Sequence, residues 1–331
     1  MDDAGGGRRG RRPTLTPAVV AAVKRTWGVD LAGSHPLGGS TGLNLGVGGF
    51  VVRVHRRHVT PTRVEALQLA REAAAIAGVP TARSVLGGEG ERCVIVESSV
   101  VEVERFVESD SKMDSLPRIR QAMPMLARLH DALATATLPE AADDLRFGNY
   151  VAAADLVERT AEGTRRIRTL DASLRPLADM AERLAEDVGE VQRHLPPLDA
   201  QWCHGDYWDD NVLFRGKEIV LVADFGFLNR RPRVDDLALT IYFTLCDIDR
   251  PGDPSTLADA YDLGALRPLT DAERRALPVA VARQSLWSIA VWAAELDDPD
   301  AVRAHLRGHE QALELAQHIL EGGGSESYGS V

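Results

Sequence analysis

The chain is poor in cysteine, in long apolar runs and in aromatic residues. It has 3 cysteines among 331 residues, an odd number without metal-ligand spacing, so we expect no disulfide framework. No apolar run approaches the ~20 residues that span a bilayer. The polar first 13 residues also lack the apolar stretch of a secretory signal. These absences predict a cytoplasmic protein without a membrane partner.

The charge balance lacks the basic excess that a nucleic-acid-binding protein needs. The formal net charge is −11, from 38 Lys and Arg against 49 Asp and Glu, whereas binding to a phosphate backbone requires a basic footprint. We therefore expect no nucleic-acid partner. Apolar residues make up 44% of the chain, and its length is enough for one large domain or two lobes.

Sequence patterns divide the chain into a β-rich first part and a helical second part. Residues 14–107 predict a small, mostly antiparallel sheet with one main helix at 61–78, and residues 108–321 are predicted to be mostly helical. The Gly-rich ends, 1–13 and 322–331, are predicted to be disordered. This α+β arrangement of two lobes places a ligand cleft at their junction.

Several individual elements are also predicted. Thr16, followed by a proline, is typical of a helix N-terminus, and Gly48-Gly49 is typical of a tight hairpin turn. Two apolar runs, 212–214 and 219–223, flank a turn and predict a second hairpin. Further strands are predicted at 50–55, 92–97 and 100–107, and further helices at 117–135 and within 151–193.

The strongest chemical signal is the stretch HGDYWDDN at 204–211, followed by DFG at 224–226. Asp206 heads a loop, Asn211 precedes the first strand of the predicted hairpin, and Asp224 follows the second strand. The hairpin therefore brings Asn211 and Asp224 to the same end, where their oxygens suit a shared Mg²⁺ ion. Asp206 is then free to orient an acceptor hydroxyl or to accept its proton.

This pattern resembles the aminoglycoside phosphotransferase and choline kinase-like superfamily, which is related to protein kinases. The resemblance implies a bilobal protein-kinase-like fold. The small N-terminal antiparallel sheet lobe would carry one main helix, and the C-terminal lobe would be larger and mostly helical. It implies transfer of the γ-phosphoryl group of ATP, with GTP as an alternative donor, to a hydroxyl group. It also implies that Asp206 is the catalytic aspartate, that Asn211 and Asp224 bind Mg²⁺, and that His204 braces the loop.

The glycine-rich residues 38–44 are expected to cover the nucleotide phosphates. They lie between two strands at the start of the first lobe, where backbone N–H groups can face phosphate oxygens. By the resemblance, Gly39, Ser40 and Asn44 are expected to contact the nucleotide.

Arg53 occupies the position at which the family carries a Lys or Arg that contacts the α- and β-phosphates. An arginine can hold phosphate through a bidentate fork. In the family this cation pairs with a helix glutamate. Glu65 and Glu72 lie seven residues apart on one face of the predicted helix, and the choice between them stays open.

The segment 103–107 matches the part of the family that hydrogen-bonds the purine through its backbone. It lies at the predicted lobe boundary, and Phe106 is placed to stack on or flank the base. Glu104 and Phe106 are therefore expected to belong to the nucleotide site.

Three functions are compatible with these motifs. The leading hypothesis is a kinase that inactivates an aminoglycoside-like, peptide or nucleoside antibiotic by phosphorylating a hydroxyl group. The second is a metabolic kinase for homoserine, choline or a methylthiosugar. The third is a nucleotide-binding pseudokinase, which the intact set of Asp206, Asn211 and Asp224 disfavours.

Overall fold

The computed structural model describes residues 13–38, 42–144, 151–246, 254–293 and 299–321. It has the predicted α+β fold, with a small antiparallel sheet lobe followed by a larger helical lobe. The predictions of disorder at the two chain ends fall outside the described residues, except at residue 13.

The first lobe is built on a five-stranded antiparallel sheet in the order β1-β2-β3-β5-β4. Helix α1 (Pro17–Trp27) precedes the sheet, and the Thr16 side chain caps it by accepting the Val19 N–H at 3.3 Å. The apolar face of α1 packs on the sheet in a core of its own. The strands are β1 (His35–Pro36), β2 (Gly42–Val47), β3 (Phe50–His55), β4 (Val94–Val96) and β5 (Ser99–Arg105).

The hairpin of β2 and β3 turns at Gly48 and Gly49, as predicted. Both glycines have positive φ angles, 54° and 81°, which residues with a side chain rarely adopt. The register places Arg53 of β3 between Asn44 of β2 and Glu102 of β5. The sheet therefore surrounds Arg53 with polar neighbours on both sides.

Helix α2 (Pro61–Ile76) lies between the two lobes. Thr60 caps its N-terminus by accepting the Arg63 N–H at 3.2 Å, and a proline begins the helix. Its buried alanines and Leu67 belong to a large core that the helix Leu116–Thr135 and the rest of the second lobe form. The helix is thus anchored in the second lobe, although its sequence position is within the first.

The second lobe is a helical bundle with two adjoining apolar cores. Its long helices follow the predicted 3.6-residue periodicity, and α3 starts within one residue of its predicted position. The helices are α3 (Leu116–Thr135), α4 (Leu156–Leu170), α5 (Arg175–Arg193), α6 (Val234–Cys246), α7 (Pro254–Asp262), α8 (Asp271–Trp287), α9 (Pro299–His305) and α10 (His309–Leu320). The π-helical segment Ser288–Ala293 follows α8.

Two small sheets interrupt this bundle beside the cleft. The predicted hairpin is present as β8 (Val212–Arg215) and β9 (Glu218–Val222), and β6 (Ser111–Lys112) pairs with β8. Strand β7 (Gln201–Cys203) pairs with β10 (Asn229–Arg231). The sequence predicted none of β6, β7 and β10, because two or three residues carry too little periodicity to mark a strand.

The structure also bears on the expectations about disulfides and membrane-spanning helices. All three cysteines are free. Cys203 is buried, Cys93 is half-buried and Cys246 is exposed. Among the described segments, each helix is too short or too polar to cross a membrane.

Two helix glycines offer a matched test of the packing. A Cβ on Gly163 in α4 would meet the Ile289 carbonyl oxygen at 2.1 Å, whereas one on Gly189 in α5 would meet only a Val157 methyl at 3.2 Å. We expect Gly163→Ala to lower the free energy of unfolding by about 1–3 kcal/mol, because the π-helical segment must move away. Gly189→Ala should change it by less than about 1 kcal/mol. Urea denaturation of both variants checks this, and equal midpoints would contradict the close approach.

Candidate active site

The loop that carries Asp206 begins at a glycine that no other residue can replace without a clash. Gly205 follows strand β7 with φ of 82°, in the left-handed region. A Cβ there would lie 2.3 Å from the Phe227 carbonyl oxygen and 2.7 Å from an Arg231 Nη2 atom. The loop therefore packs directly against the segment that follows Asp224.

The carboxylate of Asp236, in the first turn of α6, holds this loop by a hydrogen bond to its backbone. Its Oδ1 accepts the Gly205 N–H at 2.8 Å, and its Oδ2 lies 3.1 Å from His130 Nε2. His130 Nδ1 in turn lies 2.8 Å from the Tyr261 hydroxyl. Burial opposes ionisation of Asp236, but the bond from His130 outweighs it and lowers the pKa of this carboxyl. The loop thus rests on an ionised, fully buried side chain.

Asn211 precedes and Asp224 follows the two strands at the same end of the hairpin, and Asn211 contacts Asp206. Val212 pairs with Val222, and the Ala223 N–H donates to the Asn211 carbonyl oxygen at 2.8 Å, so Asp224 comes directly after the residue that faces Asn211. Asn211 donates its side-chain N–H to Asp206 Oδ2 at 2.8 Å and to the Asp206 carbonyl oxygen at 2.9 Å. The amide nitrogen is therefore used within the loop, which leaves the amide oxygen as the atom able to bind a metal.

The backbone of Asp224 is held in a conformation that is rare for a residue with a side chain. Its φ is 52°, and its Oδ1 accepts the Gly226 N–H at 3.1 Å. Such outliers persist where the surrounding structure fixes them, frequently at functional sites. A carboxylate and an amide oxygen at the end of one hairpin are the hard oxygen ligands that Mg²⁺ prefers, so these residues fit that ion.

His204 joins the two halves of this arrangement. Its Nδ1 accepts the Asp206 N–H at 3.2 Å, and its Nε2 lies 2.8 Å from the Ala223 carbonyl oxygen. Because Nδ1 accepts a bond, Nε2 carries the proton and donates it to Ala223. Burial lowers the pKa of His204 against the opposing effect of Asp236. The contacts agree with a brace, since both ring nitrogens are occupied by backbone groups.

Arg53 pairs with a sheet glutamate, and the prediction of a helix partner for it was wrong. Its Nε and Nη2 donate to Glu104 Oε1 at 2.9 and 2.7 Å, and its Nη1 donates to Asn44 Oδ1 at 3.1 Å. Glu72 instead binds the half-exposed Arg92. Burial opposes the charge of Arg53, but Glu104 and Asp224 outweigh it and raise the pKa of the guanidinium.

Helix α2 joins this pair through an arginine rather than a glutamate. Arg71 Nη2 donates to Glu102 Oε2 at 2.7 Å, and Arg71 Nη1 lies 3.3 Å from Glu104 Oε2. Glu102 also accepts a bond from Gln68 at 2.8 Å and lies 3.0 Å from His55 Nε2. Four charges thus alternate in sign from Arg53 to Glu102.

The ionised state of Glu102 contributes to stability. Burial favours its neutral form, but Arg71, His55 and Gln68 hold the pKa of this carboxyl well below its ordinary value of 4.5. A depressed pKa stabilises the folded state fully above the ordinary value, and that stabilisation is lost as the pH falls below it. The network therefore stays charged at neutral pH.

A cavity of about 90 Å³ lies between β3, helix α2 and the Asp224 segment. The cavity is lined by two acidic residues, Glu102 and Asp224, and by a larger number of basic residues. This basic lining contrasts with the net charge of −11 of the whole chain. Arg63 of α2 reaches the Gly226 carbonyl oxygen from here at 2.9 Å. The basic lining residues are Arg53, His55, Arg56, His58, Arg63 and Arg71.

The other residues predicted to contact the nucleotide are only partly described by the structure. Gly39 and Ser40 lie outside the described residues. Asn44 donates to the Gly38 carbonyl oxygen at 3.2 Å and thereby links the glycine-rich segment to Arg53. The Glu104 side chain is directed at Arg53 and is almost fully buried.

Phe106 lies at the lobe boundary, where its side chain is exposed. Its backbone N–H donates to the Gly49 carbonyl oxygen at 2.9 Å, so that group serves the fold. A contact of the Phe106 ring with the nucleotide base stays a prediction.

Sequence reasoning missed Glu102, Arg71, Arg63 and Asp236 as parts of the site. The signal for Glu102 was present, because it and Glu104 alternate with valines in β5 and therefore face the same side of the sheet. Arg63 and Arg71 lie eight residues apart on α2 and share a buried face. Because buried charges are stable only when paired, charged residues on the buried faces of a strand and of a neighbouring helix indicate ion pairs between them.

The chain is similar in sequence to known phosphotransferases over much of its length. A family model described as the phosphotransferase enzyme family matches residues 43–277. A homoserine kinase of Phenylobacterium zucineum is 31% identical over 163 residues, 48% of this chain and 46% of that protein. An uncharacterized protein of Deinococcus radiodurans is 32% identical over 171 residues, 50% of this chain and 47% of that one. The chain spans about half the length of these curated relatives.

Several solved structures share the fold at low sequence identity. Spectinomycin phosphotransferase with ADP and spectinomycin has a TM-score of 0.68 at 11% identity, covering 93% of this chain and 99% of that one. A microcompartment-associated aminopropanol kinase has 0.67 at 18%, covering 92% and 98%. Amicoumacin kinase with AMP-PNP and Ca²⁺ has 0.66 at 12%, covering 90% and 92%. These likenesses support the bilobal fold.

Glutamine substitutions can separate the observed partner of Arg53 from the predicted one. We expect Glu104→Gln to lower the free energy of unfolding by about 3 kcal/mol and to weaken ADP binding, because Arg53 and Arg71 lose the charge between them. Glu72→Gln, at an exposed pair, should change stability by less than about 1 kcal/mol. Urea denaturation and calorimetric ADP titration measure both effects. A larger loss in the Glu72 variant would show that the helix glutamate holds Arg53.

Proposed function

Because this chain belongs to the phosphotransferase enzyme family, we propose that it transfers the γ-phosphoryl group of a nucleoside triphosphate to a hydroxyl group of a small molecule. The observation that carries the proposal is the position of Asn211 and Asp224 at one end of the hairpin, where Asn211 also binds Asp206. Phosphoryl transfer needs positioning and charge neutralisation more than covalent participation by the protein. This arrangement of oxygens offers both.

In this mechanism Asp206 receives the acceptor. Its carboxylate orients the hydroxyl group and takes its proton as the oxygen attacks the γ-phosphorus and the bond to the leaving nucleoside diphosphate breaks. Asn211 holds Asp206 in place through its side-chain N–H. Asn211 and Asp224 would hold Mg²⁺, which neutralises phosphate charge when bound.

Arg53 is proposed to bind the nucleotide phosphates. It lines the basic cavity together with Asp224, and Glu104 and Asn44 fix its orientation. ATP is the proposed donor, with GTP as an alternative. Arg63 is proposed to hold the Asp224 segment against α2 through the Gly226 carbonyl oxygen.

For the acceptor, we propose first an antibiotic with a free hydroxyl group, so that phosphorylation would confer resistance. Support comes from the fold shared with the kinases named for amicoumacin and spectinomycin. That support is structural, at 11–12% identity.

A specific observation favours a second acceptor class, the hydroxyl group of a small amino alcohol. The homoserine kinase is more similar in sequence, at 31% over half of the chain, and an aminopropanol kinase shares the fold. A metabolic kinase of this kind would use the same residues at the phosphoryl end of the site.

A substitution of Asp206 tests the reaction. We expect Asp206→Ala to fold normally and to reduce phosphoryl transfer about a thousandfold or more, because the acceptor loses its proton acceptor. Asp199→Ala, an exposed carboxylate outside the site, is the control and should retain full activity. Full activity in the Asp206 variant would end the assignment and favour another base.

A panel of acceptors separates the two classes. ³¹P NMR with ATP and Mg²⁺ should reveal a new phosphomonoester signal with one class of acceptor, and EDTA should abolish it. Aminoglycoside, peptide and nucleoside antibiotics form one arm, and homoserine, choline and aminopropanol form the other. Nucleotide binding without transfer to any acceptor, even at high enzyme concentration, would instead favour a pseudokinase.

A further inference from the structure

A second cavity adjoins the first turn of α6. Its volume is about 300 Å³, and it shares no described lining residue with the basic cavity. Helices α5, α6 and α8 line it, together with residues 195–198, which connect α5 to β7. Asp235 is one of the lining residues, and the next residue in the chain, Asp236, binds Gly205. The cavity therefore lies near the loop of Asp206 but apart from the phosphoryl end of the site.

The walls of this cavity are mostly apolar. Residues 195–198 contribute the side chains of a Leu-Pro-Pro-Leu sequence, and Pro232 and Val234 add apolar surface from the segment that leads into α6. Ala276 and Ala280 lie one turn apart on α8 and so share a face of that helix. Walls of this kind suit an apolar ligand, and the volume is at the lower end of the range for small-molecule sites.

Three polar residues interrupt the apolar wall, and hydrogen bonds join them. Arg283 of α8 donates to Asp235 Oδ1 and, at 3.3 Å, to Gln192 Oε1 of α5. Asp235 is 1% exposed and Arg283 is 6% exposed. The carboxylate and the guanidinium thus neutralise each other inside the protein, and the pair as a whole carries no net charge.

The other carboxylate oxygen of Asp235 is left without a partner. Oδ2 is shielded from solvent, yet none of the residues that the structure describes gives it a hydrogen bond. Burial raises the pKa of this carboxyl, and the charge of Arg283 offsets that effect only in part. A buried acceptor without a donor is destabilising, and in folded proteins such an atom generally binds water or a ligand.

Water alone matches this cavity poorly. One molecule satisfies Oδ2 but takes up roughly 30 Å³, against the cavity volume of about 300 Å³. Further water molecules against proline, leucine and alanine side chains would lack the two to four polar partners that buried water needs. An apolar body with one hydrogen-bond donor fills the space and also pairs Oδ2. Because Arg283 already neutralises Asp235, an uncharged donor suits the site better than a cation, which would have to be desolvated.

We propose that this cavity, called the Asp235 cavity below, binds a small, uncharged and mostly apolar molecule through a hydroxyl or amide N–H group that donates to Asp235 Oδ2. The inference concerns a second ligand site, and it does not rest on the proposed kinase function.

A pair of probes that differ in one group tests the role of Asp235. 6-Fluoro-2-naphthol and 2,6-difluoronaphthalene have nearly the same shape, but only the naphthol carries a hydrogen-bond donor. Both are titrated with the full chain, without nucleotide, and followed by ¹⁹F NMR of the probe. We expect saturable binding of the naphthol. The difluoro compound should need about tenfold higher concentration, because it cannot donate to the buried carboxylate.

Filling the cavity locates the bound probe. Ala276→Leu adds apolar volume at the cavity wall, whereas Ala21→Leu adds the same atoms at an exposed position of α1. We expect Ala276→Leu to weaken naphthol binding about tenfold or more through steric overlap, and Ala21→Leu to leave it unchanged. Ala280→Leu repeats the test one turn along α8. Calorimetric ADP titration should give the same affinity for all three variants as for the unmodified protein, which shows that they fold.

Any of three results overturns the site. The first is no saturable binding of either probe, which would mean that the cavity holds water only. The second is equal affinity for the two probes, which would exclude recognition by Asp235. The third is equal naphthol affinity in the unmodified protein and in both filled variants, which would place the probe elsewhere. Failure of the unmodified protein to bind ADP would count against the proposed function and not against this cavity.

Discussion

The site depends on one buried carboxylate at the start of α6. Asp236 accepts the Gly205 N–H and is kept ionised by His130, so the loop that carries Asp206 is held from inside the second lobe. A buried ionised group is costly unless all its partners are present. Since those partners come from the loop at Gly205 and from His130 on α3, the shape of the loop depends on how α3 and α6 pack together.

On the phosphate side of the cleft, several buried charges likewise depend on oppositely charged partners. Arg53, Glu104, Arg71 and Glu102 alternate in sign between β3, β5 and α2. Each charge has an opposite neighbour, so four ionised groups can be buried together. Because α2 packs into the core of the second lobe, this network ties the orientation of Arg53 to the contact between the lobes.

The two halves of the site differ in how far sequence alone could describe them. Asp206, Asn211 and Asp224 are close in the chain, and one hairpin joins Asn211 to Asp224, so spacing alone predicted that these two residues lie at the same end of the hairpin. The partner of Arg53 lies 51 residues away on another strand, and both helix glutamates considered for it were wrong. Strand register, which chain spacing does not reveal, places Glu102 opposite Arg53 and Glu104 two residues further along the same face of β5, within reach of the Arg53 side chain.

By itself the sequence predicted the two-lobe α+β fold, the main helices and hairpins, and the phosphotransferase family, because periodicity and short-range spacing are local properties. Only the tertiary structure decided which charges neutralise one another and which distant side chains are in contact. Glu104 beside Arg53, Asp236 beneath Gly205 and Phe243 beside Trp208 are contacts between distant segments. Such contacts depend on how elements pack, and packing is a property of the whole chain.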